Sequence, residues 1–126
     1  MKQWIIIIVA LGLIIGFNAW QSTFLENTSR YILTDINEVK IAGLRNDEAE
    51  VKNAVNALED TWESVKIGWD IFAEHDSVEE IEESVAKIKA CVELGEVNLL
   101  LIENDILKGR VERIVDMESF KFSNVF

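Results

Sequence analysis

Hydrophobic residues recur along most of the chain with the three- and four-residue spacing of one α-helix face. One such segment runs from Leu25 to about Leu44, and a second continues for three heptads up to Phe72. Sustained alternation of this kind is typical of a coiled-coil-like seam. The positions predicted to face the core are Leu25, Ser29, Ile32, Ile36, Val39 and Gly43, followed by Val51, Val55, Leu58, Trp62, Val65, Trp69 and Phe72.

Polar signals separate these segments from two further helices. The run 46–48 predicts a turn and a new helix N-terminus. His75 is expected in the last turn of the second helix, and Asp76 followed by Glu79 has the spacing of a capping box that opens the third. Gly95 is expected just beyond the end of that helix. The apolar positions of the third and fourth helices are Val78, Ile81, Val85, Ile88, Val92, Leu100, Leu107, Val111 and Ile114, with Asn104 at a core position.

The composition supports long helices with few connections. The chain of 126 residues contains no proline and six glycines, too few for the tight turns of a sandwich or barrel. We therefore predict an all-α protein, in which an N-terminal transmembrane helix continues into an antiparallel up-down bundle of three to four helices. The predicted division is a membrane anchor over 1–24 and an acidic bundle with an aromatic tail over 25–126.

The first segment differs from the others because it is apolar on every face. No charge interrupts it between Trp4 and Trp20, and a helix from Trp4 to Phe24 is about 30 Å long, one hydrocarbon thickness. The two tryptophans bracket it, where indole rings favour the membrane interfaces. A cleaved secretory signal is the main alternative, but a cut after Ala19 places Phe17 where a small residue is required. The prediction is an uncleaved anchor.

Two features of the anchor bear on its contacts and its orientation. Gly12 and Gly16 form a small-xxx-small step, which favours close approach of another helix in a homodimer or on a membrane-protein partner. Glycine is also common in such helices without any contact role. Lys2 favours a cytoplasmic N-terminus and an extracytoplasmic bundle, whereas Arg30 and Lys40 on the far side weaken that bias.

Charge and residue chemistry exclude several function classes. The net charge is −11, and a surface of this sign disfavours nucleic-acid binding. The single cysteine, Cys91, is interpreted as a small buried residue, with a reactive thiol as the alternative. The single histidine, His75, with Asp76 beside it, is interpreted as structural rather than as a metal or acid–base site. We expect no enzymatic activity, no catalytic residue, no metal and no cofactor.

The last eight residues, 119–126, depart from helical spacing. Phe120, Phe122, Val125 and Phe126 make them too apolar for a disordered end. Docking back onto the bundle is expected, and a hook that binds a partner is the alternative.

These residues resemble a family of small uncharacterised bacterial proteins, mostly from Gram-positive spore-formers, classified as a domain of unknown function. The resemblance is carried by Trp62, by the run 72–89 with its His75-Asp76 step, and by the ending Asn124-Val125-Phe126. It covers most of the chain, including the apolar N-terminal helix. It implies an anchored helical bundle that often accompanies a multi-span membrane protein, and no known catalytic residues carry over from the family.

Two functions are compatible with this pattern. The first is a membrane-anchored extracytoplasmic interaction or scaffold module, which would hold a membrane partner through Gly12 and Gly16, the bundle or the aromatic tail. Trp62 and Trp69 are interpreted as core residues of that bundle rather than as a ligand cage. The second function is a ligand-sensing bundle that acts through a membrane partner. Partner capture from native membranes and thermal shifts with small molecules distinguish the two.

Overall fold

The computed structural model describes the backbone of residues 2–125 and the side chains of residues 2–117. The described residues form four helices: α1 (Lys2–Arg45), α2 (Glu48–Phe72), α3 (His75–Leu94) and α4 (Val97–Val125). Consecutive helices pack together, and α1 also packs on α4, which closes an up-down bundle. The predicted all-α fold, with a long apolar N-terminal helix leading into the bundle, is confirmed.

Helix α1 runs without a break from the apolar segment into the bundle, as predicted. Its bundle half buries the predicted face from Leu25 to Gly43. The helix ends at a short turn in which Asn46 adopts a positive φ of 56°. Asp47 then caps α2, because its side chain accepts hydrogen bonds from the backbone of Ala49 and Glu50 at 3.1 and 3.3 Å. The predicted helix start at 46–48 is confirmed.

The predicted seam of α2 lies in the core, except that Val65 is only partly buried. Gly68 allows α2 to approach α1 closely, since a Cβ atom there would lie 2.2 Å from the ring of Phe24. At the other end of the bundle, Leu101 of α4 packs directly over Gly43 of α1. These two glycines therefore set how closely α1 meets its neighbours.

The predicted boundary between α2 and α3 was wrong. Helix α2 ends at Phe72, and His75 is the first residue of α3 rather than a residue in the last turn of α2. Asp76 is likewise not the cap: Glu74 occupies the N-cap position and its side chain makes no capping hydrogen bond. Asp76 lies inside the first turn, where a carboxylate still interacts favourably with the positive end of the helix dipole.

The other end of α3 follows the prediction. Gly95 has a left-handed conformation with φ 71°, and its N–H bonds back to the carbonyl groups of Cys91 and Val92. Helix α4 then buries Leu100, Asn104 and Leu107.

The tail does not depart from the helix, contrary to the prediction. Helix α4 continues through Val125, so the backbone of residues 119–125 is helical. After Gly109 no proline or glycine interrupts the chain, and a helix already formed gains one hydrogen bond for each residue added. Phe126, and the side chains whose docking onto the bundle was predicted, lie outside the described residues.

Candidate functional site

The N-terminal half of α1 presents a continuous exposed apolar surface. The large hydrophobic residues from Trp4 to Trp20 are all between 49 and 72 % exposed. One window of this helix is long and apolar enough to cross a membrane, and none of it is buried within the protein. Gly12 and Gly16 lie on this segment, and a Cβ atom built at either position would have no other atom of the protein within 4 Å. The segment makes no contribution to the bundle core until its last turns.

An aromatic cluster marks the point where this segment meets the bundle. The rings of Phe17, Trp20 and Phe24 of α1 surround Phe72, the last residue of α2, with centroid separations of 5.6, 5.3 and 5.5 Å. We call these four residues the aromatic junction. Trp20 meets Phe72 edge to face, an arrangement favoured by the quadrupoles of the two rings.

Hydrogen bonds fix the position of the aromatic junction. Gln21 donates from Nε2 to the backbone carbonyl of Phe72 at 2.9 Å. One turn deeper, the indole N–H of Trp69 donates to Thr28 Oγ1 at 2.8 Å, and that hydroxyl donates to the carbonyl of Phe24 at 2.7 Å. The end of α2 is thus attached to α1 by both packing and polar contacts.

Trp62 and Trp69 lie inside the core, 1 and 0 % exposed, with ring centroids 5.9 Å apart. This placement agrees with their interpretation as packing residues. Trp62 donates from its indole to Glu82 of α3 at 3.1 Å, and Lys66 contacts the same carboxylate oxygen at 2.8 Å. The bond from Lys66, followed by that from Trp62, holds the pKa of Glu82 below its usual value, while Glu82 raises the pKa of Lys66.

This contact predicts a pH dependence of stability. Because the pKa of Glu82 is lower in the folded than in the unfolded chain, its stabilising contribution is present above the unfolded pKa and is lost as the pH falls through the folded pKa. Glu82→Gln should therefore lower the thermal midpoint at about pH 7, and the difference from wild type should shrink at about pH 3. Thermal unfolding followed by circular dichroism measures both.

Glu93→Gln, on an exposed position of the same helix, serves as the control. A difference between Glu82→Gln and wild type that stays constant between the two pH values would contradict the assignment to Glu82.

His75 and Asp76 lie at the start of α3, next to the aromatic junction in the chain. His75 Nε2 is 3.0 Å from Glu79 Oε1, and both side chains are exposed to solvent. Within the described residues, no group of three or more His, Cys, Asp or Glu side chains is arranged to hold a metal ion. Cys91 is buried, and that burial raises the pKa of its thiol.

A cleft of about 370 Å³ lies between α1 and α4. Leu33 and Ile102 line it with apolar surface, and Lys40 and Lys108 contribute charged groups. Asn104 reaches its inner wall, where Nδ2 donates to the carbonyl of Ile36 at 2.9 Å and Oδ1 is buried without a hydrogen-bond partner. Sequence reasoning identified Asn104 as a core polar residue but not as part of a cleft, because the cleft depends on how α1 and α4 pack.

The sequence matches the family described as a domain of unknown function, DUF4363, over residues 19–125. The chain belongs to the DUF4363 family. No curated protein and no solved structure matches it. The family match begins one residue before Trp20, so most of the exposed apolar segment lies outside it, whereas the predicted resemblance included that segment.

The site residues predicted from the sequence fall into separate places in this DUF4363 chain. Trp4, Gly12 and Gly16 lie on the exposed half of α1, and Trp20 lies in the aromatic junction. Asn124 and Val125 end α4, as part of its helical backbone. Sequence reasoning assigned Phe72 to the apolar seam of α2 and missed its role as the centre of the aromatic junction.

Proposed function

We propose that this DUF4363 chain is a membrane-anchored interaction module, with residues 4–20 spanning the bilayer and the acidic bundle outside the cytoplasm. One observation carries the proposal: a segment without charge, exposed on every face, continues as an unbroken helix into a packed bundle. A soluble protein seldom exposes so large a contiguous apolar patch. Lipid would remove this surface from water, and a helix meets the requirement that a span form its own backbone hydrogen bonds.

The proposed orientation rests on the distribution of charge. Lys2 lies two residues before the span, whereas the first basic residue after it is Arg30. Positive residues near a span are retained in the cytoplasm, which favours an N-terminus inside and a bundle outside. The sequence predicts no arrangement of catalytic residues, which favours binding over catalysis. We propose that the protein is not an enzyme.

The proposed partner surface inside the membrane is the face of Gly12 and Gly16. A Cβ atom added at either glycine would meet no other atom within 4 Å, so the face is open to another helix. Association in lipid depends on close van der Waals packing between small residues. The partner is a second copy of this chain or a helix of a larger membrane protein.

Leucine at Gly12 and Gly16 should abolish a defined crosslinked species in native membranes, because the added side chains prevent close approach of the partner helix. The measurement is photo-crosslinking from the span, followed by mass analysis of the adduct. Ala10→Leu, which adds similar bulk on the opposite face of the helix, is the matched control. An adduct that survives both glycine substitutions, or a chain that remains monomeric without adduct, would contradict this interface.

A second function, ligand sensing through a membrane partner, is favoured by the cleft between α1 and α4. Its buried Asn104 Oδ1 offers an acceptor to a hydrogen-bond donor, and the apolar wall offers surface to bury. Thermal shifts across a panel of small molecules test this function. A specific stabilisation that Asn104→Leu removes favours sensing, and a flat response favours the interaction module.

A further inference from the structure

The direction and register of α4 determine where its C-terminal end lies. Leu101 packs over Gly43, and Asn104 donates to the carbonyl of Ile36, so α4 descends antiparallel to α1 from the far end of the bundle. From Leu101 to Val125 the helix is about 36 Å long. Val125 lies 24 residues beyond Leu101 and 21 beyond Asn104, and counting the same numbers of residues back along α1 from Gly43 and Ile36 reaches residues 19 and 15. The end of α4 therefore lies level with the aromatic junction and the last turn of the apolar segment.

The sequence of α4 changes character at this level. The part of α4 that contains Phe120, Phe122 and Val125 runs alongside residues 15–24 of α1, at about the same height in the bundle. Nearer its start, the exposed apolar residues of α4 are aliphatic: Leu99, Ile102 and Ile106. Aromatic residues thus end α4 at the height where aromatic residues of α1 and α2 already meet.

Described side chains at this end of the bundle include exposed apolar residues, as Leu44 and Leu94 are at the far end. Trp20 is 59 % exposed although its ring packs on Phe72. Ile67 and Ile71, one turn apart at the end of α2, are 73 and 67 % exposed, and Met117 of α4 is 41 % exposed. The contacts of Phe72 with Gln21 and of Gly68 with Phe24 place Ile71 within about one helical turn of Trp20 along α1. This distance is within the thickness of one lipid headgroup layer.

We infer that this end of the bundle rests in the lipid headgroup layer as a second membrane contact, formed by the aromatic junction, Ile71 and the C-terminal turns of α4. The inference rests on the proposed anchor. It goes beyond the anchor because it places Ile71 and the end of α4 in contact with the bilayer, which the unbroken helix α1 does not by itself require. The apolar span is continuous with this surface through Phe17 and Trp20, which is why lipid is the occupant.

The negative charge of the bundle indicates that the proposed contact does not depend on anionic lipid headgroups. With a net charge of −11, the chain gains nothing from anionic headgroups, so the contact depends on apolar and aromatic insertion at the interface. Indole rings favour this layer in neutral membranes as well, and phenyl rings add apolar surface that lipid can bury. Adding phosphatidylglycerol to phosphatidylcholine should therefore not strengthen the contact between the bundle and the membrane.

Site-specific labelling of the full-length protein tests the inference. In a Cys91→Ala background, Leu13, Ser123 and Leu94 are each replaced by cysteine in a separate variant, and that cysteine is labelled with an environment-sensitive fluorophore. Each purified variant is then placed in phosphatidylcholine vesicles that contain a nitroxide-labelled lipid. Leu13 reports on the span, Ser123 on the end of α4, and Leu94 on the far end of the bundle. We expect a blue shift and loss of emission at Leu13 and Ser123, and neither at Leu94.

The three positions separate failure of the inference from failure of the anchor. Quenching at Leu13 without quenching at Ser123 would overturn the inference and leave the anchor intact. A water-exposed label at Leu13 would overturn the anchor itself. Exposure of Ser123 in pure lipid with protection in native membranes would show that a protein partner, not lipid, covers this end, and would also overturn the inference.

Discussion

Replacing Trp69 with alanine is expected to lower the free energy of unfolding of the bundle by about 3–5 kcal/mol, the usual cost of removing a large buried aromatic ring. Trp69 is fully buried, meets Trp62 edge to face and donates its indole N–H to Thr28. The substitution removes both the packing and this hydrogen bond. Because α2 is attached to α1 at this point, the loss should loosen the aromatic junction one turn below.

Urea unfolding of the full chain in detergent, followed by far-ultraviolet circular dichroism, measures the change without relying on tryptophan emission. Trp69→Phe keeps a ring but not the N–H, so it should cost less than the alanine variant. Trp4→Ala, at an exposed position outside the bundle, serves as the control. A Trp69→Ala variant as stable as the wild type would show that this ring is not a core residue.

The second large effect concerns the apolar segment of α1. Aspartate at both Leu11 and Ile15 should prevent stable membrane insertion, because each charge near the centre of a span costs about 2.5–3.5 kcal/mol on insertion scales. Both side chains are more than 45 % exposed and support nothing in the bundle. The fold of the bundle should therefore survive while the chain leaves the membrane fraction.

Fractionation of cells that produce each variant measures this effect. Leu11→Ile with Ile15→Leu conserves volume and hydrophobicity, and this control should remain in the membrane. Circular dichroism of the released aspartate variant distinguishes a displaced bundle from an unfolded one. Equal membrane retention of the aspartate variant and the control would mean that the segment is not held by lipid.

Most of the helical architecture was predictable because burial in a bundle enforces a simple period. The face of α1 from Leu25 to Gly43 and most of the seam of α2 were predicted from spacing alone. Asp47 and Gly95 were predictable as helix ends because their side-chain chemistry and backbone freedom suit those positions. These signals are local, and local signals are what a single sequence contains.

The errors occurred where the local signal was ambiguous. A capping-box spacing at Asp76 and Glu79 suggested a helix start, but acidic residues favour the whole first turn of a helix and not only its cap. No glycine or proline marks the turn at Ala73 and Glu74. At the tail, the two-residue spacing of Phe120 and Phe122 obscured a helix that simply continues.

The aromatic junction was beyond sequence reasoning for a different reason. Trp20 was assigned to a membrane interface and Phe72 to a helix seam, and each assignment considered one segment by itself. Their contact joins residues more than fifty positions apart and depends on the antiparallel register of α1 and α2. The level of the end of α4 depends in the same way on packing between α1 and α4. Sequence periodicity determines which face is buried, whereas register decides which residues meet.

Cysteine labelling tests most directly whether residues 4–20 cross the membrane with the bundle outside the cytoplasm. In a Cys91→Ala background, single cysteines at Gln3 and Leu94 can be exposed to a membrane-impermeant maleimide in intact cells, with permeabilised cells as the reference and intact mass as proof that the chain is uncleaved. We expect labelling of Leu94→Cys in intact cells and labelling of Gln3→Cys only after permeabilisation. Equal labelling of the two positions in intact cells, or the reverse pattern, would contradict this topology.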